Sequence, residues 1–417
     1  MRERHGNDRS WRMARWLVAG GAVAAVAGLG LTLSTPKASA DSVSVSLPAH
    51  LTVGPAPGPC PMARVDGRRS GRVAELPSAP REIWHRRVRG GTTLPVAVDD
   101  AGAIVVAAAV AELVQVDADG REQWHQRLGM SVASTEPVIL SDGTRVVLTT
   151  LGQAWGFDAR GGERFRTDLA GLGTDPRTSP LPRDDGSVVV AVGTHLVVLD
   201  RDGSVMLQAD VGQRVVGSVV NDGRSVLVTT ETGDVVRWAS PLPPRRVGTF
   251  RGIVREGVAR TTDGMLLAVV DMQRLVSMDL ATGATATRLS AYGLEGPPAL
   301  GDKGISHVAT NAGVLHSVSS AGQERSVRLD PAPEEPPDPD GGVVVPSYAP
   351  PSPSVVVDEA GRVAFARSDG RVGVVSPDGR VSYVSKRSCG TPISVTPAGR
   401  RKFVVACRTG DLYLYGP

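Results

Sequence analysis

The feature that most constrains this chain is a turn ending in glycine that returns with a period of about forty residues. It recurs at Gly102, Gly143, Gly186, Gly223, Gly264, Gly304, Gly361 and Gly399, at intervals of 41, 43, 37, 41, 40, 57 and 38 residues. Each glycine precedes a short β-prone run: Ile104 to Ala109, Arg145 to Thr150, Ser187 to Val192, Ser225 to Thr230, Met265 to Val270, Ile305 to Thr310, Arg362 to Arg367 and Lys402 to Cys407. Second turns follow at Gly152, Gly193, Gly233, Gly313, Gly370 and Gly410, and third turns at Asp117 to Gly120, Asp200 to Gly203 and Ser376 to Gly379. Each unit is thus a meander of four strands, with glycine where the turn needs positive φ. Such units at this period are the signature of a β-propeller. Helical solenoids would need long stretches of 3.6-residue periodicity, and none follows residue 33.

Eight runs predict an all-β, eight-bladed β-propeller of four-stranded antiparallel blades over residues 81–417. The last unit supplies only three strands before Pro417, so its fourth must come from elsewhere. Arg81 to Val88 has the right character: Trp84 stands 40 residues before Trp124, which stands 41 before Phe165 and 42 before Leu207. The N-terminal strand is therefore expected to join the last blade and close the ring, removing exposed edges. Asp117, Asp158, Asp200 and Asp279 mark a second structural series at the third turns. The long interval of 57 residues is explained by a proline-rich inserted loop, residues 331–351, too poor in backbone donors to form ladders.

Export is expected from the N-terminus. Arg2, Arg4, Arg9, Arg12 and Arg15 precede the long apolar run Trp16 to Leu33, and Ala38-Ser39-Ala40 offers a cleavage site. Residues 1–40 read as a secretory signal peptide and 41–80 as a lead-in or linker. A periplasmic or secreted protein, without stable membrane insertion after cleavage, is the expectation; the alternative is an uncleaved inner-membrane anchor. A formal charge of +3, drawn largely from those arginines, argues against nucleic acid as a partner. Basic pairs such as Arg86-Arg87 and Arg400-Arg401 lack interleaved aromatics and read as solvated strand ends.

An oxidising compartment permits one disulfide among Cys60, Cys389 and Cys407. Cys389 and Cys407 flank a candidate hairpin and form the leading pair, while a bridge from Cys60 to either is the alternative. The stretches Val116 to Trp124 and Phe157 to Phe165 resemble the tail of the pyrroloquinoline-quinone-like (PQQ-like) repeat, Leu-x-Ala-Leu-Asp-x-x-x-Gly-x-x-x-Trp. Cys60-Pro61-Met62-Ala63-Arg64 onward is similar to the lead-in of such proteins. The resemblance implies a propeller in which Trp84 and Trp124 pack between neighbouring blades, with Asp117, Asp158, Asp200, Gly120 and Gly203 as structural repeat positions. The tryptophan fades after the early units, which suggests a divergent member with looser constraints.

Quinone-dependent dehydrogenases share the repeat, but they hold the quinone over an aromatic floor with calcium beside a catalytic aspartate. Here aromatics are 4% of residues and the asparagines beyond the signal are Asn221 and Asn311. No catalytic, metal or cofactor residues are therefore nominated. Acidic residues before glycine read as hairpin turn chemistry rather than calcium ligands. The histidines show no zinc-ligand spacing, and no nucleophile elbow nominates a serine. The expectation is a monomeric, non-enzymatic exported propeller that scaffolds or binds an envelope or secreted protein. A small-ligand or carbohydrate binder is the alternative, and a quinone enzyme a more distant one.

Overall fold

A computed structural model describes residues 60–417 except 63, 256, 330–354 and 385–390. The expected signal peptide, the proline-rich loop and Cys389 lie outside the described residues. Among the described residues eight sheets, each built on four antiparallel strands, form the blades. Blade 1 comprises Ala97–Val98, Ile104–Ala108, Glu112–Val116 and Glu122–Arg127, from inner to outer edge. All eight first-turn glycines have positive φ, between +70° and +109°. The runs that follow them form the second strand of each blade.

Those second strands are buried on both faces. Ile104–Ala108, Val188–Val192 and Phe403–Cys407 are buried at every position, which is why they read as continuous apolar runs without alternation. The outer strands behave differently. In Glu122–Arg127 and Glu163–Asp168 one residue is buried among polar neighbours, and it is Trp124 or Phe165.

Closure follows the expected route. Arg81–Arg87 pairs antiparallel with Asp411–Gly416, opposing Trp84 to Leu414, and so becomes the outer strand of blade 8 beside Phe403–Cys407 and Pro392–Pro397. Two blades gain an unexpected fifth strand on the axial side. Thr178–Ser179 runs parallel to Val215–Asp222 of blade 4, and Arg72–Val73 runs parallel to Val356–Asp358 of blade 7. Two-residue segments give too weak a local signal to read from sequence.

Neighbouring blades interlock through the outer strands. The Trp84 indole N–H donates to the Ala118 carbonyl at 2.8 Å, and that of Trp124 to the Ala159 carbonyl at 3.0 Å. Each ring lies on the glycine that ends the same turn. A Cβ on Gly120 would fall 3.0 Å from the Trp84 ring, and one on Gly161 2.9 Å from that of Trp124. Phe165 occupies Gly203 in the same way. Farther along the chain, arginine takes over the donor's role. Arg288 donates to the Ser320 carbonyl and Arg325 to the Pro377 carbonyl, in both cases at the turn position equivalent to Ala118 and Ala159.

Asp117, Asp158 and Asp200 cap their turns. Asp117 Oδ1 accepts the N–H groups of Asp119 and Arg121, Asp158 Oδ1 those of Arg160 and Gly162, and Asp200 Oδ1 those of Asp202 and Ser204. Cys407 is disulfide-bonded. The alternative bridge through Cys60 is corrected: Cys60 is a free, buried thiol whose Sγ donates to the Met62 carbonyl.

Candidate functional site at the ring axis

Residues 60–76 do not simply lead into the ring; they fill its centre. Cys60 exchanges backbone hydrogen bonds with Val98 of blade 1, and Ile139 of blade 2 donates to the Pro61 carbonyl. Farther round, the backbone N–H groups of Asn221, Arg260, Leu300 and Val357 donate to the carbonyls of Gly67, Arg68, Ser70 and Gly71. These donors belong to blades 4, 5, 6 and 7, and Arg401 of blade 8 donates to Glu75. One short segment thus satisfies inner-strand amides around the ring that would otherwise face the axis unpaired.

Two arginines fasten the segment. Arg69 is fully buried; its Nε donates to the Val219 carbonyl at 3.1 Å and its Nη2 to the carbonyls of Ser179 and Pro180 at 3.0 and 2.6 Å. Burial pulls its pKa down to about 10, opposed by the charge of Glu136, so it remains a cation at neutral pH. Arg64 donates from Nη1 to the Val355 carbonyl and from Nη2 to the Pro298 carbonyl, bridging blades 7 and 6. Burial pulls Arg64 to about 10 as well, and its Nε is buried without a hydrogen-bond partner. Arg64, Val65 and Arg69 have φ of 64°, 76° and 58°. For a β-branched residue such as Val65 that conformation is strained and persists only where its surroundings enforce it.

In a meander blade the first and third turns lie on one rim, and the second turn and the connection to the next blade on the other. The inner-strand donors to the segment sit just before the first turns, so the plug lies toward that rim. The opposite side remains open as a funnel of about 300 Å³, with Cys60, Arg64 and Val65 on its floor. Its wall carries Glu136, Arg177 and Arg255 together with hydroxyls such as Ser134 and Ser218. Glu136 faces Arg69, so its charge is already engaged. Arg177 shares Asp175 with Arg214, at 2.6 and 3.3 Å. The described lining of the funnel is therefore net cationic.

Among the described residues no aromatic ring lines this funnel, and Glu136 is the one carboxylate that does. A planar quinone would find nothing to stack on and calcium no oxygen cage, so these residues do not fit that pair. Among the described residues no group of three or more His, Cys, Asp or Glu could hold a metal ion. No described helix is long and apolar enough to cross a membrane. Trp84, Trp124, Asp117, Asp158, Asp200, Gly120 and Gly203 all lie away from the axis, in the interlocks and turns. The funnel residues carried no local motif. Their one sequence signal was the similarity of Cys60 to Arg72 to a repeat-family lead-in.

Apolar side chains are exposed on the rim where the funnel opens. Met130 is completely exposed, and Val110, Val132 and Leu151 are 48%, 38% and 51% exposed. Backbone bonds from Leu128 to Ala111 and from Thr150 to Val132, with the Ser131–Thr150 hydroxyl pair at 2.9 Å, draw these loops of blades 1 and 2 into one patch.

Comparison with known proteins agrees with the architecture. A family model described as outer membrane protein assembly factor BamB matches residues 69–171, the part in which the tryptophan interlock is best preserved. The crystal structure of BamB from Moraxella catarrhalis is similar with a TM-score of 0.57 at 17% identity, covering 82% of this chain and 98% of that one. The computationally designed Ika8 protein gives 0.63 at 11% identity, covering 82% and 100%. Virginiamycin B lyase from Staphylococcus aureus gives 0.50 at 10% identity, covering 80% and 98%. At such identities the likeness is one of fold. A search of curated proteins finds no match in sequence. With eight closed blades, the indole-to-turn interlock and the repeats matched over residues 69–171, the chain is an eight-bladed β-propeller whose repeats are similar to those of the PQQ-like family.

Proposed function

We propose that this protein is an exported, non-enzymatic propeller that docks a protein partner on the funnel-side rim. The observation that carries the reading is the group of exposed apolar residues Val110, Met130, Val132 and Leu151 on hydrogen-bonded loops of blades 1 and 2. Exposed apolar residues that cluster on one face of a folded domain mark contact surfaces, and loops on a rigid scaffold are where binding residues concentrate. The matched family model describes an assembly factor, which supports a role exercised on other proteins of the cell envelope.

The test is a crosslinked pull-down from the native envelope with the wild type and the Met130→Lys, Leu151→Lys double variant. Both positions are exposed, so the variant should melt like the wild type. The reading expects stable partners on the wild type and their loss from the variant. Equal capture by both, or capture by neither, would overturn it.

A further inference from the structure

We infer that the axial funnel receives a carboxylate-bearing segment of the partner, an acidic stretch of peptide that enters between Arg177 and Arg255 toward Arg64. This rests on the reading above and adds the chemistry of what is bound.

Three observations converge. The first is cationic charge with few ion-pair partners. Arg64 sits on the floor bonded to two backbone carbonyls, with its Nε buried and unpartnered and no ion pair among the described residues. The charge of Asp66 acts on Arg64 without a salt bridge to it, so a half-buried guanidinium bonded to carbonyl dipoles can still draw an anion. Higher on the wall, Arg255 has neither an ion pair nor a hydrogen bond among the described residues, and Arg177 has only a share of Asp175. The one carboxylate among the described residues lining the site, Glu136, acts on Arg69.

The second is size. A funnel of about 300 Å³ stands at the lower end of the range for enclosed ligand sites, roughly 300–1,000 Å³. It holds one or two side chains of a polymer, with hydroxyls of Ser134 and Ser218 to accompany the carboxylate.

The third is position. The mouth opens on the rim that carries the Met130 patch, so a partner seated there can lower an acidic loop or chain end into the axis. Focusing by a cationic, walled cleft would favour that entry. The strained φ of 76° at Val65 sits on the same floor, where such outliers accompany functional contacts.

The experiment uses the purified mature protein and a fluorescein-labelled peptide of alternating glutamate and glycine, read by fluorescence anisotropy. A matched glutamine peptide and free succinate serve as the other arms. The inference expects binding of the glutamate peptide, weakening with salt, and little binding of the glutamine peptide. Arg177→Gln and Arg255→Gln should each weaken binding about tenfold with unchanged melting, because both side chains are exposed and each removes one charge-assisted contact. No glutamate-peptide binding, equal binding of the glutamine peptide, or indifference to both substitutions would overturn it. Binding of succinate without the peptide would also overturn it, since the funnel would then serve a free small carboxylate. The Met130→Lys, Leu151→Lys variant separates the two readings. If it loses the envelope partner while the doubly substituted Arg177→Gln, Arg255→Gln protein keeps it at full strength, the docking rim stands and the funnel inference falls.

Discussion

Replacing Arg69 by methionine should destabilise the ring more than any surface substitution. The side chain has 0% exposure, and its fork donates to the carbonyls of Ser179, Pro180 and Val219. Methionine fills most of the volume but leaves those acceptors without a donor in a dry interior, at about 1–3 kcal/mol each if nothing relaxes. It also strips Glu136 of the charge it faces, and breaking such a buried pair from one side costs about 3–5 kcal/mol. These costs overlap, and methionine spares the desolvation that pulls the guanidinium down to about 10, so a net loss of about 3–5 kcal/mol is expected. With about 350 ordered residues and an unfolding entropy of about 2.1 cal/mol/K per residue, that corresponds to a fall in Tm of roughly 4–7 °C. Differential scanning calorimetry at pH 7 measures it. Arg69→Lys should recover part of the loss, since it keeps the charge without the fork. Arg69→Met combined with Glu136→Leu should be milder than Arg69→Met alone, because no stranded charge remains. A Tm within 1 °C of wild type for Arg69→Met, taken as about the scatter of a surface change, would refute the view that the segment fastens the ring.

Burial holds His307 down to about 4, against an ordinary 6.5, so the folded state resists a proton that the unfolded chain accepts. Stability should be full above pH 6.5 and fall as pH drops toward 4, by about 3 kcal/mol in total; urea melts at pH 7 and 4.5 should show a fall that His307→Gln reduces, and parallel slopes would refute it. Gly161→Ala places a methyl 2.9 Å from the Trp124 ring at a φ of +83°, and overpacking plus left-handed strain should cost about 2–4 kcal/mol in a denaturant melt. The Cys60 thiol, pushed from 9.0 up to about 12 by burial, carries about a thousandfold less thiolate than an ordinary cysteine. Alkylation at pH 8 should therefore leave it unmodified in native protein and label it fully in denaturant, whereas rapid native labelling would contradict its burial.

What sequence could reveal was what is local and periodic. A glycine with φ near +80° is required by its own turn, so Gly102 to Gly399 announce the blades without reference to anything distant. The Trp84 series announced closure because it is set by the same period, although its partner Leu414 lies at the far end of the chain. Arg69 carried no such signal. Its acceptors lie 110, 111 and 150 residues away, and in sequence a buried arginine looks like any surface cation. The arginine interlocks were hidden for another reason. Continuing the spacing of Trp84, Trp124, Phe165 and Leu207 leads to Arg288 two periods later and close to Arg325 after one more, where a polar side chain breaks the apolar series. Where the series carries a donor, as at Trp84 and Trp124, the N–H reaches a carbonyl of the next turn, and arginine can make the same bond.

The fading of the tryptophans therefore does not make the later blades loosely held. Trp84, Trp124 and Phe165 lock blades 8, 1 and 2 onto blades 1, 2 and 3, whereas blades 5 and 6 rely on Arg288 and Arg325. Those exposed arginine bonds bury little apolar surface, and each contributes far less than an indole seated on glycine. The axial segment also ties the arc that lacks tryptophan interlocks. Arg68, Ser70 and Gly71 accept from blades 5, 6 and 7 in turn, and Arg64 ties blade 6 to blade 7. Axial bonds thus supplement the interlocks between blades around the ring. This also explains why the floor beneath the funnel is cationic: an arginine is long enough to reach two inner strands from the centre, where a tryptophan is not, and the charge it brings remains available to whatever enters from the rim.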